Sequence, residues 1–289
     1  MRPRLLDELG LVAAIEWLVK GMDMWEATKA GTTDIAWCFH GFWGGMTTLA
    51  DVLTLPFVPY KSAEQSSGIF WNLMEDYPSM AKQFEDNKIL IGWTFSPYFP
   101  ITTDKQIKTQ EDFEGLKFRA PGGPSTEMIQ LMGASPTSVP FPASYENLQK
   151  GVLDGVGIPW EAGLTYKFWE VTKYWTMAPM FVGYFTMAIN WDTWDSLPSD
   201  VQEQIMSVSG LEGSKTYGKN MFDACEVACR DAMKEAGSDV VFYDVPEAEL
   251  AKWQDIAGKP LWDKWVKDRE AEGYSETQEI LDKMVEMVK

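Results

Sequence analysis

The sequence has few of the residues from which most catalytic and metal sites are built. Its 289 residues include one histidine, His40, and three cysteines, Cys38, Cys225 and Cys229. Three cysteines do not make a disulfide framework, and one histidine would need carboxylates to complete a zinc site. We interpret Cys38 and His40, which are close in the chain, as unrelated core and loop residues. The sequence therefore predicts no metal site and no cofactor.

Positive charge and long apolar runs are also scarce. The chain has 25 lysines and arginines against 43 aspartates and glutamates, a formal net charge of −18. A chain this acidic is repelled by phosphate backbones and by anionic lipid surfaces, so nucleic acid is not an expected partner. No apolar run is long enough to cross a bilayer, so direct membrane insertion is not expected.

Motifs that carry common catalytic chemistry are absent from the sequence. It has no glycine-rich phosphate loop, no G-x-S-x-G turn and no histidine paired with a nucleophile. We therefore expect a protein that is not an enzyme.

The most informative stretch runs from Gly115 to Glu161. Its pattern predicts a strand, a Gly/Pro-rich turn, a short helix, a second strand, another short helix and a turn that ends in an aromatic residue. Arg119 ends the first strand, and its planar fork of donors suits a carboxylate. An arginine at a strand end is otherwise commonly a solvated or salt-bridged surface residue. The functional interpretation is that Arg119 binds an anion.

Four motifs follow one another in this stretch: GLKFRAP, GASPTSVPF, YENLQKGVLDG and PWE. Their order resembles the substrate-binding proteins of tripartite ATP-independent periplasmic (TRAP) transporters, of the DctP type. The earlier segment MWEATKAGTTDIAW is similar to a helix-and-strand unit of the same family. The resemblance implies a two-lobed α/β fold of the periplasmic-binding-protein kind, type II-like, with hinge strands and a long helix that spans both lobes.

The resemblance also implies a cargo and partners. The expected ligand is a small organic acid, which the closed protein delivers to a small and a large integral membrane subunit, with uptake driven by an ion gradient. The implied location is the periplasm. A ligand-sensing binding protein of the same fold is the alternative function, and an enzyme is the less favoured one.

The beginning of the chain departs from the family pattern. Its apolar run is interrupted by Asp7, Glu8 and Glu16, so it makes a poor signal peptide. We expect the signal peptide to be lost or truncated and the opening strand to be missing or replaced.

Breaks in the pattern predict the lobes and their connections. Lobe 1 is expected to comprise residues 1–97 and 185–222, and lobe 2 residues 98–184 and 223–289. Leu53 to Val58 reads as a buried strand or extended run. Ser199 and Gln202 fit a capping box that opens a helix running toward Gly237.

Two departures from relatives indicate the ligand class. Tyr98 and Phe99 stand where some relatives carry a second arginine, and Ile158 stands where many carry an asparagine. Both changes replace polar groups by apolar surface, which favours a hydrophobic or aromatic monocarboxylate held by Arg119.

The remaining candidate site residues carry structural alternatives. Glu161 can accept a hydrogen bond from a ligand hydroxyl or amino group, or it is a helix N-terminal glutamate favoured by the dipole. Phe141 can equally be a core residue, and so can the aromatic residues of the loop after the first strand. The predicted walls of the cleft are Tyr98, Phe141, Trp160, Phe185, Trp43 and His40.

Overall fold

The protein consists of two α/β lobes. The computed structural model describes residues 20–42, 45–120 and 124–289. Within these ranges the strands are β1 Ile35–Phe39, β2 Lys88–Thr94, β3 Phe99–Thr102, β4 Lys117–Arg119, β5 Ser135–Thr137, β6 Gly155–Ile158, β7 Tyr174–Met177, β8 Tyr184–Ile189 and β9 Val241–Asp244. The α-helices are Met24–Lys29, Ala63–Asp76, Pro78–Lys82, Pro124–Leu131, Ser144–Gln149, Trp160–Tyr166, Trp191–Ser196, Ser199–Ser207, Gly210–Tyr217, Ala224–Glu235, Glu247–Trp253, Lys259–Ala271 and Thr277–Val288.

Lobe 1 is built on a sheet in which β8 lies between β1 and β2 and is antiparallel to both. The helix Ala63–Asp76 packs on this sheet because Ile69, Phe70 and Leu73 recur on one face and are buried. Its first turn is capped by Ser62, whose hydroxyl accepts the backbone N–H of Gln65 at 3.0 Å.

Lobe 2 is built on a mixed sheet with the order β5-β4-β6-β3-β7-β9. β4 is parallel to both β5 and β6, whereas β3 is antiparallel to β6 and β7. Gly155 on β6 has no room for a side chain, since a Cβ there would lie 2.8 Å from the Phe118 ring and 2.9 Å from the Ile101 carbonyl oxygen. This close contact holds β4 against the centre of the sheet and so fixes where β4 ends.

Two chain segments cross between the lobes side by side. The first joins β2 to β3, and the second joins β7 to β8. They are hydrogen-bonded to each other: Phe95 N–H donates to Gly183 O at 3.1 Å, Tyr98 N–H to Phe181 O at 2.9 Å, and Met180 N–H to Tyr98 O at 2.7 Å. These paired segments are the hinge strands that the resemblance implied, and the two-lobed α/β fold is confirmed.

A third connection is a long helix that starts later than predicted. Ser199–Ser207 is a separate helix, and Gly210, with φ of +66°, starts the next one. The predicted capping box is wrong, because the Gln202 amide donates to the Trp194 and Leu197 carbonyl oxygens instead. From Gly210 to Glu235 the chain is continuously helical and includes a π-helical turn at Gly218–Asp223.

The long helix contacts each lobe with a different half. Ser214 in its first half accepts the Gly92 backbone N–H of lobe 1 at 3.1 Å. Cys229 in its second half is fully buried in the core cluster of lobe 2 that contains Trp175. The helix therefore spans both lobes, as predicted, although it is shorter at its start.

The last part of the chain returns to lobe 1, which the predicted division did not foresee. Trp253 and Leu261 are buried in a lobe 2 cluster, but Trp265, Ile280 and Met284 are buried in the main core of lobe 1. Placing all of residues 223–289 in lobe 2 is wrong, because the final helix buries its apolar face against lobe 1. The other predicted boundaries stay predictions.

Two further predictions concern the segment from Leu53 to Val58 and the opening strand. Leu53 to Val58 is not a strand: Ala50–Thr54 is a 3₁₀-helix, held by a 2.8 Å hydrogen bond from Thr54 Oγ1 to Asp51 O, and Phe57 has a positive φ of 57°. The proposed replacement of the opening strand falls on residues 1–19, outside the described residues.

In the part of the chain that the structure describes, no helix has both the length and the apolar character needed to cross a membrane.

Candidate functional site

Arg119 lies where the second sheet meets the junction of the two lobes. It is the last residue of β4 and pairs in register with Thr137 on β5. The preceding residue, Phe118, is fully buried, so strand alternation directs Arg119 to the other face of the sheet. Its guanidinium is half-buried, and this burial lowers the pKa of the group from its ordinary value without removing its charge.

Two neighbours orient the Arg119 side chain. Nε donates to the Val139 carbonyl oxygen at 3.1 Å, and the guanidinium carbon lies 4.9 Å from the centroid of the Phe141 ring. Across residues 20–42, 45–120 and 124–289 no carboxylate lies within ion-pair distance of Arg119. The positive charge is therefore held in place by neutral groups and remains available to an anion.

Tyr98 adjoins both Arg119 and the acidic side chain of Glu161. Burial raises the pKa of its phenol above the usual range; the charge of Glu161 adds to that rise and the charge of Arg119 opposes it. The ring stacks on Phe181 with centroids 4.6 Å apart. Arg119, Tyr98 and Glu161 thus form one cluster at the junction of the lobes.

Glu161 is a buried carboxyl without a hydrogen-bond partner. Neither Oε1 nor Oε2 has a hydrogen bond of good geometry to any group in the described part of the chain, nor has Oγ of Ser96, although the Ser96 hydroxyl lies near enough to oppose the rise in the pKa of Glu161. Burial raises the pKa of Glu161 to about 8, and the charge of Asp223 contributes to the rise. The side chain is therefore mostly protonated at neutral pH.

A strip of half-buried aromatic rings continues from Tyr98 into lobe 1. Phe39 at the end of β1 lies 6.3 Å from Phe95, which follows β2, and Phe95 lies 5.7 Å from Tyr98. With Phe181, these rings form an apolar surface beside the charged cluster. Phe39, Phe95 and Phe181 were not predicted as site residues, although Phe39 ends a strand and Phe95 and Phe181 lie in the two crossing segments.

Three predicted site residues lie inside the cores instead. His40 is buried in lobe 1, stacks on Tyr184, and its Nε2 lies 2.8 Å from Thr186 Oγ1. Burial lowers the pKa of this imidazole to about 3. Phe185 is buried between neighbouring rings, with Trp93 stacked 5.5 Å away. Ile158 is fully buried on β6. The assignment of these side chains to the cleft surface was wrong, because local packing takes them into the sheet cores.

Phe141 and Trp160 have mixed roles, and Trp43 lies outside the described residues. Phe141 is half-buried and contacts Arg119 through its ring, as described above. Trp160 is only 6% exposed, since its ring packs against Phe99 and under the guanidinium of Arg230, 4.5 Å away. We keep Phe141 as a site residue and regard Trp160 as part of the lobe 2 core.

A cavity of about 490 Å³ lies between the lobes next to this cluster. Ser96 and Trp160 line it, together with three acidic side chains and two lysines: Glu64, Asp223, Glu226, Lys61 and Lys219. Lys219 pairs with Glu64 at 3.4 Å, so the described lining has no surplus positive charge. The Arg119 cluster suits an organic anion better than this cavity does.

Metal binding finds no support in the described ranges, where no three His, Cys, Asp or Glu side chains come together as ligands. Cys225 and Cys229 are free thiols in the second half of the long helix. The chemistry that the site offers is charge pairing and apolar contact.

Comparison with known proteins identifies relatives along most of the chain. Residues 16–268 match the sequence model of DctP, the bacterial extracellular solute-binding protein family 7. The 2,3-diketo-L-gulonate-binding periplasmic protein of Escherichia coli is 23% identical over 85% of this chain and 73% of its own length. The C4-dicarboxylate-binding periplasmic protein of Rhodobacter capsulatus is 30% identical over 54% of this chain and 46% of its own length.

Solved structures share the fold. A TRAP solute-binding protein from Rhodoferax ferrireducens, in complex with copurified benzoate, aligns with a TM-score of 0.83 and 28% identity over 95% of this chain and 84% of that chain. A marine metagenome TRAP protein specific for aromatic acid ligands, with 3-hydroxybenzoate, aligns with a TM-score of 0.83 and 27% identity over 95% and 85%. All of these relatives are solute-binding proteins and not enzymes. This chain belongs to the DctP family of bacterial extracellular solute-binding proteins, the substrate-binding components of TRAP transporters.

Proposed function

We propose that this protein binds an aromatic or otherwise hydrophobic monocarboxylate between its lobes and pairs the carboxylate with Arg119. In this proposal the closed protein then delivers its ligand to the membrane subunits of a TRAP transporter, on the outer side of the cytoplasmic membrane. The observation that carries it is the half-buried guanidinium of Arg119, which has no carboxylate partner among the described residues.

The charge of Arg119 is preorganised for this pairing. Val139 and Phe141 already fix the orientation of the guanidinium, so little side-chain entropy is lost when an anion binds. Its terminal N–H groups have the fork geometry that matches the two oxygens of a carboxylate. A half-buried pair is screened less by solvent than a surface pair, which strengthens the attraction.

The aromatic strip supplies a surface for the body of the ligand. Phe39, Phe95, Tyr98 and Phe181 are each partly exposed, and ring faces and edges at these positions can pack against an aromatic or aliphatic group. Relatives of known structure that bind benzoate and 3-hydroxybenzoate support this ligand class. Their bound acids have one carboxylate and one ring, which is the combination that the site offers.

The hinge gives the site a way to admit its ligand. The lobes are joined by the paired crossing segments, by the long helix and by the helix Lys259–Ala271, and rotation about this junction leaves the core of each lobe intact. We expect the ligand to enter an open form and to bring the lobes together, since it contacts residues on both sides of the hinge.

Calorimetric titration of the wild type and of Arg119→Ala tests the proposal. The panel comprises benzoate, phenylacetate, mandelate, succinate and sialic acid. Truncating one partner of a buried charge pair costs about 2–5 kcal/mol, so we expect Arg119→Ala to weaken the binding of benzoate-type acids about a hundredfold or more. Arg230→Ala is the matched control, because it also removes a guanidinium that stacks on an aromatic ring but one that lies over Trp160 and Phe242.

Two results would contradict the proposal. One is equal affinity of the wild type and Arg119→Ala for the acid that binds best. The other is a clear preference for succinate or sialic acid over every aromatic monocarboxylate, which would show that the apolar strip does not select the ligand.

A further inference from the structure

We infer that Glu161 and Ser96 form a second polar end of the ligand site, one that recognises a hydroxyl group on the aromatic acid and rejects a second carboxylate. This inference rests on the proposed function, because it requires that the acid binds at Arg119.

The first argument is the set of buried groups that lack partners. Glu161 Oε1, Glu161 Oε2 and Ser96 Oγ are all inaccessible and have no hydrogen bond of good geometry within the described ranges, although Ser96 lies near enough to Glu161 to lower the pKa of the carboxyl. Buried polar atoms in folded proteins are nearly always bonded, so the hydrogen-bonding capacity of the carboxyl that Ser96 does not fill calls for a group that is not part of this chain. A hydroxyl group donates one hydrogen bond and accepts another, so it can satisfy Glu161 and Ser96 together.

The second argument is where these groups lie. Tyr98 is close enough to both Glu161 and Arg119 for each of them to affect its pKa, so all three groups share one neighbourhood. That ring stacks on Phe181 and belongs to the apolar strip. A ligand ring packed beside Tyr98 places its carboxylate toward Arg119 and a ring substituent toward Glu161.

The third argument concerns charge. Glu161 and Asp223 are near enough for the charge of Asp223 to raise the pKa of Glu161, and Cys225 is affected by both acids. Ser96 and Tyr98, the other polar groups found to adjoin Glu161, are neutral. A second ligand carboxylate at this end would be repelled by the charge of Asp223 and would have to be buried beside the protonated Glu161, whereas a neutral hydroxyl would not be repelled.

The experiment compares matched ligands on matched variants. Dissociation constants are measured by calorimetry for benzoate, the three hydroxybenzoate isomers, 3-methoxybenzoate and isophthalate. The variants are Glu161→Leu, which removes the acceptor; Glu161→Gln, which keeps one acceptor oxygen and removes the charge; Ser96→Ala; and Glu146→Gln, an exposed control on lobe 2. Thermal unfolding of each variant establishes that it is folded.

We expect one hydroxybenzoate isomer to bind the wild type about tenfold or more tightly than benzoate, and isophthalate to bind more weakly than benzoate. Glu161→Leu should abolish the hydroxyl preference while benzoate affinity changes only a few-fold. Glu161→Gln should keep part of the preference and bind isophthalate about as weakly as the wild type does at neutral pH, where Glu161 is mostly protonated. The Glu146→Gln variant should behave as the wild type.

The inference is overturned if benzoate binds and depends on Arg119, yet no isomer is preferred or the preference survives in Glu161→Leu. That result would leave the proposed function standing. If none of the acids binds the folded wild type, the proposed function and this inference both fail. This outcome differs from the first one, in which the inference alone fails.

Discussion

Glu161 binds its proton more tightly in the folded protein than in the unfolded chain. Its pKa rises from an ordinary value of 4.5 to about 8, mainly because burial disfavours the charged form. Between these two values the folded state holds more protons than the unfolded state, so the free energy of unfolding falls as the pH rises. Burial also raises the pKa of Asp51, to about 6, and of Asp223, and these contributions have the same sign.

Glu161→Gln is therefore expected to reduce the loss of stability between pH 5 and pH 8. At pH 8 the variant should be more stable than the wild type, by on the order of a few kcal/mol, because it has no charge to bury. Urea unfolding at the two pH values measures the difference. Glu146→Gln, at an exposed position, is the control. Equal pH dependence of the wild type and Glu161→Gln would contradict the expectation.

At the scale of single residues, the sequence predicted the residues of the charged cluster more accurately than those of the apolar surface. Arg119 and Tyr98 stand at a strand end and at a crossing, where Gly, Pro and aromatic residues mark the chain reversal. His40 was placed on the wall, whereas its neighbour Phe39 lies there and His40 lies in the core. A one-residue difference changes which side of a strand a side chain occupies, and the glycine-rich loop after β1 gives no periodicity to decide it.

Among the structural elements, the long helix depends on a glycine at its closest contact with lobe 1. A Cβ on Gly218 would lie 2.6 Å from the Ala63 carbonyl oxygen and 2.7 Å from Ser67 Oγ. Next to this contact, Asp223 accepts the backbone N–H groups of Ala63 and Glu64 at 2.6 and 2.9 Å, so it caps the start of the helix Ala63–Asp76.

We expect Gly218→Ala to destabilise the protein by about 1–3 kcal/mol, because the long helix must move away from backbone atoms of lobe 1. Denaturant unfolding measures the change. Asn220→Ala is the matched control, since it lies in the same π-helical turn but is exposed to solvent. A Gly218→Ala protein as stable as the control would show that the contact is looser than the structure indicates.

The sequence predicted β4, β5 and the helices Pro124–Leu131 and Ser144–Gln149, because glycine and proline residues mark the breaks between them. It overextended the helix from Ser199, because the residues around Val208 and Ser209 carry no proline and look compatible with a helix. The break there coincides with the positive φ of Gly210. A single backbone angle of this kind leaves no periodic trace in the sequence.

For the molecule as a whole, the return of the final helix makes lobe 1 depend on the end of the chain. Met284 is fully buried in the lobe 1 core, and its sulfur accepts a hydrogen bond from the Tyr60 hydroxyl at 3.0 Å. The Gln65 amide also donates to the Val288 carbonyl oxygen at 3.1 Å. Each lobe is therefore assembled from segments that are far apart in sequence, and neither is complete without crossing segments.

Met284→Ala is expected to lower the stability of the whole protein by about 2–5 kcal/mol through the cavity that it leaves. Because the lobes exchange chain segments, we expect calorimetry to show one transition shifted to lower temperature, by roughly 2–4 °C for each kcal/mol. Met206→Ala, at an exposed position, should leave it almost unchanged. Two separate transitions, of which one alone moves, would show that the lobes unfold independently.

The paired crossing segments also determine how the lobes can move. Sliding or stretching these antiparallel segments would break the main-chain hydrogen bonds from Phe95, Tyr98 and Met180. Bending the pair out of the plane that contains these hydrogen bonds breaks none of them. The paired segments by themselves therefore favour one motion, a bend that opens and closes the space beside Tyr98. We expect closure by this bend to bring the aromatic strip and Arg119 to each bound ligand in the same relative orientation.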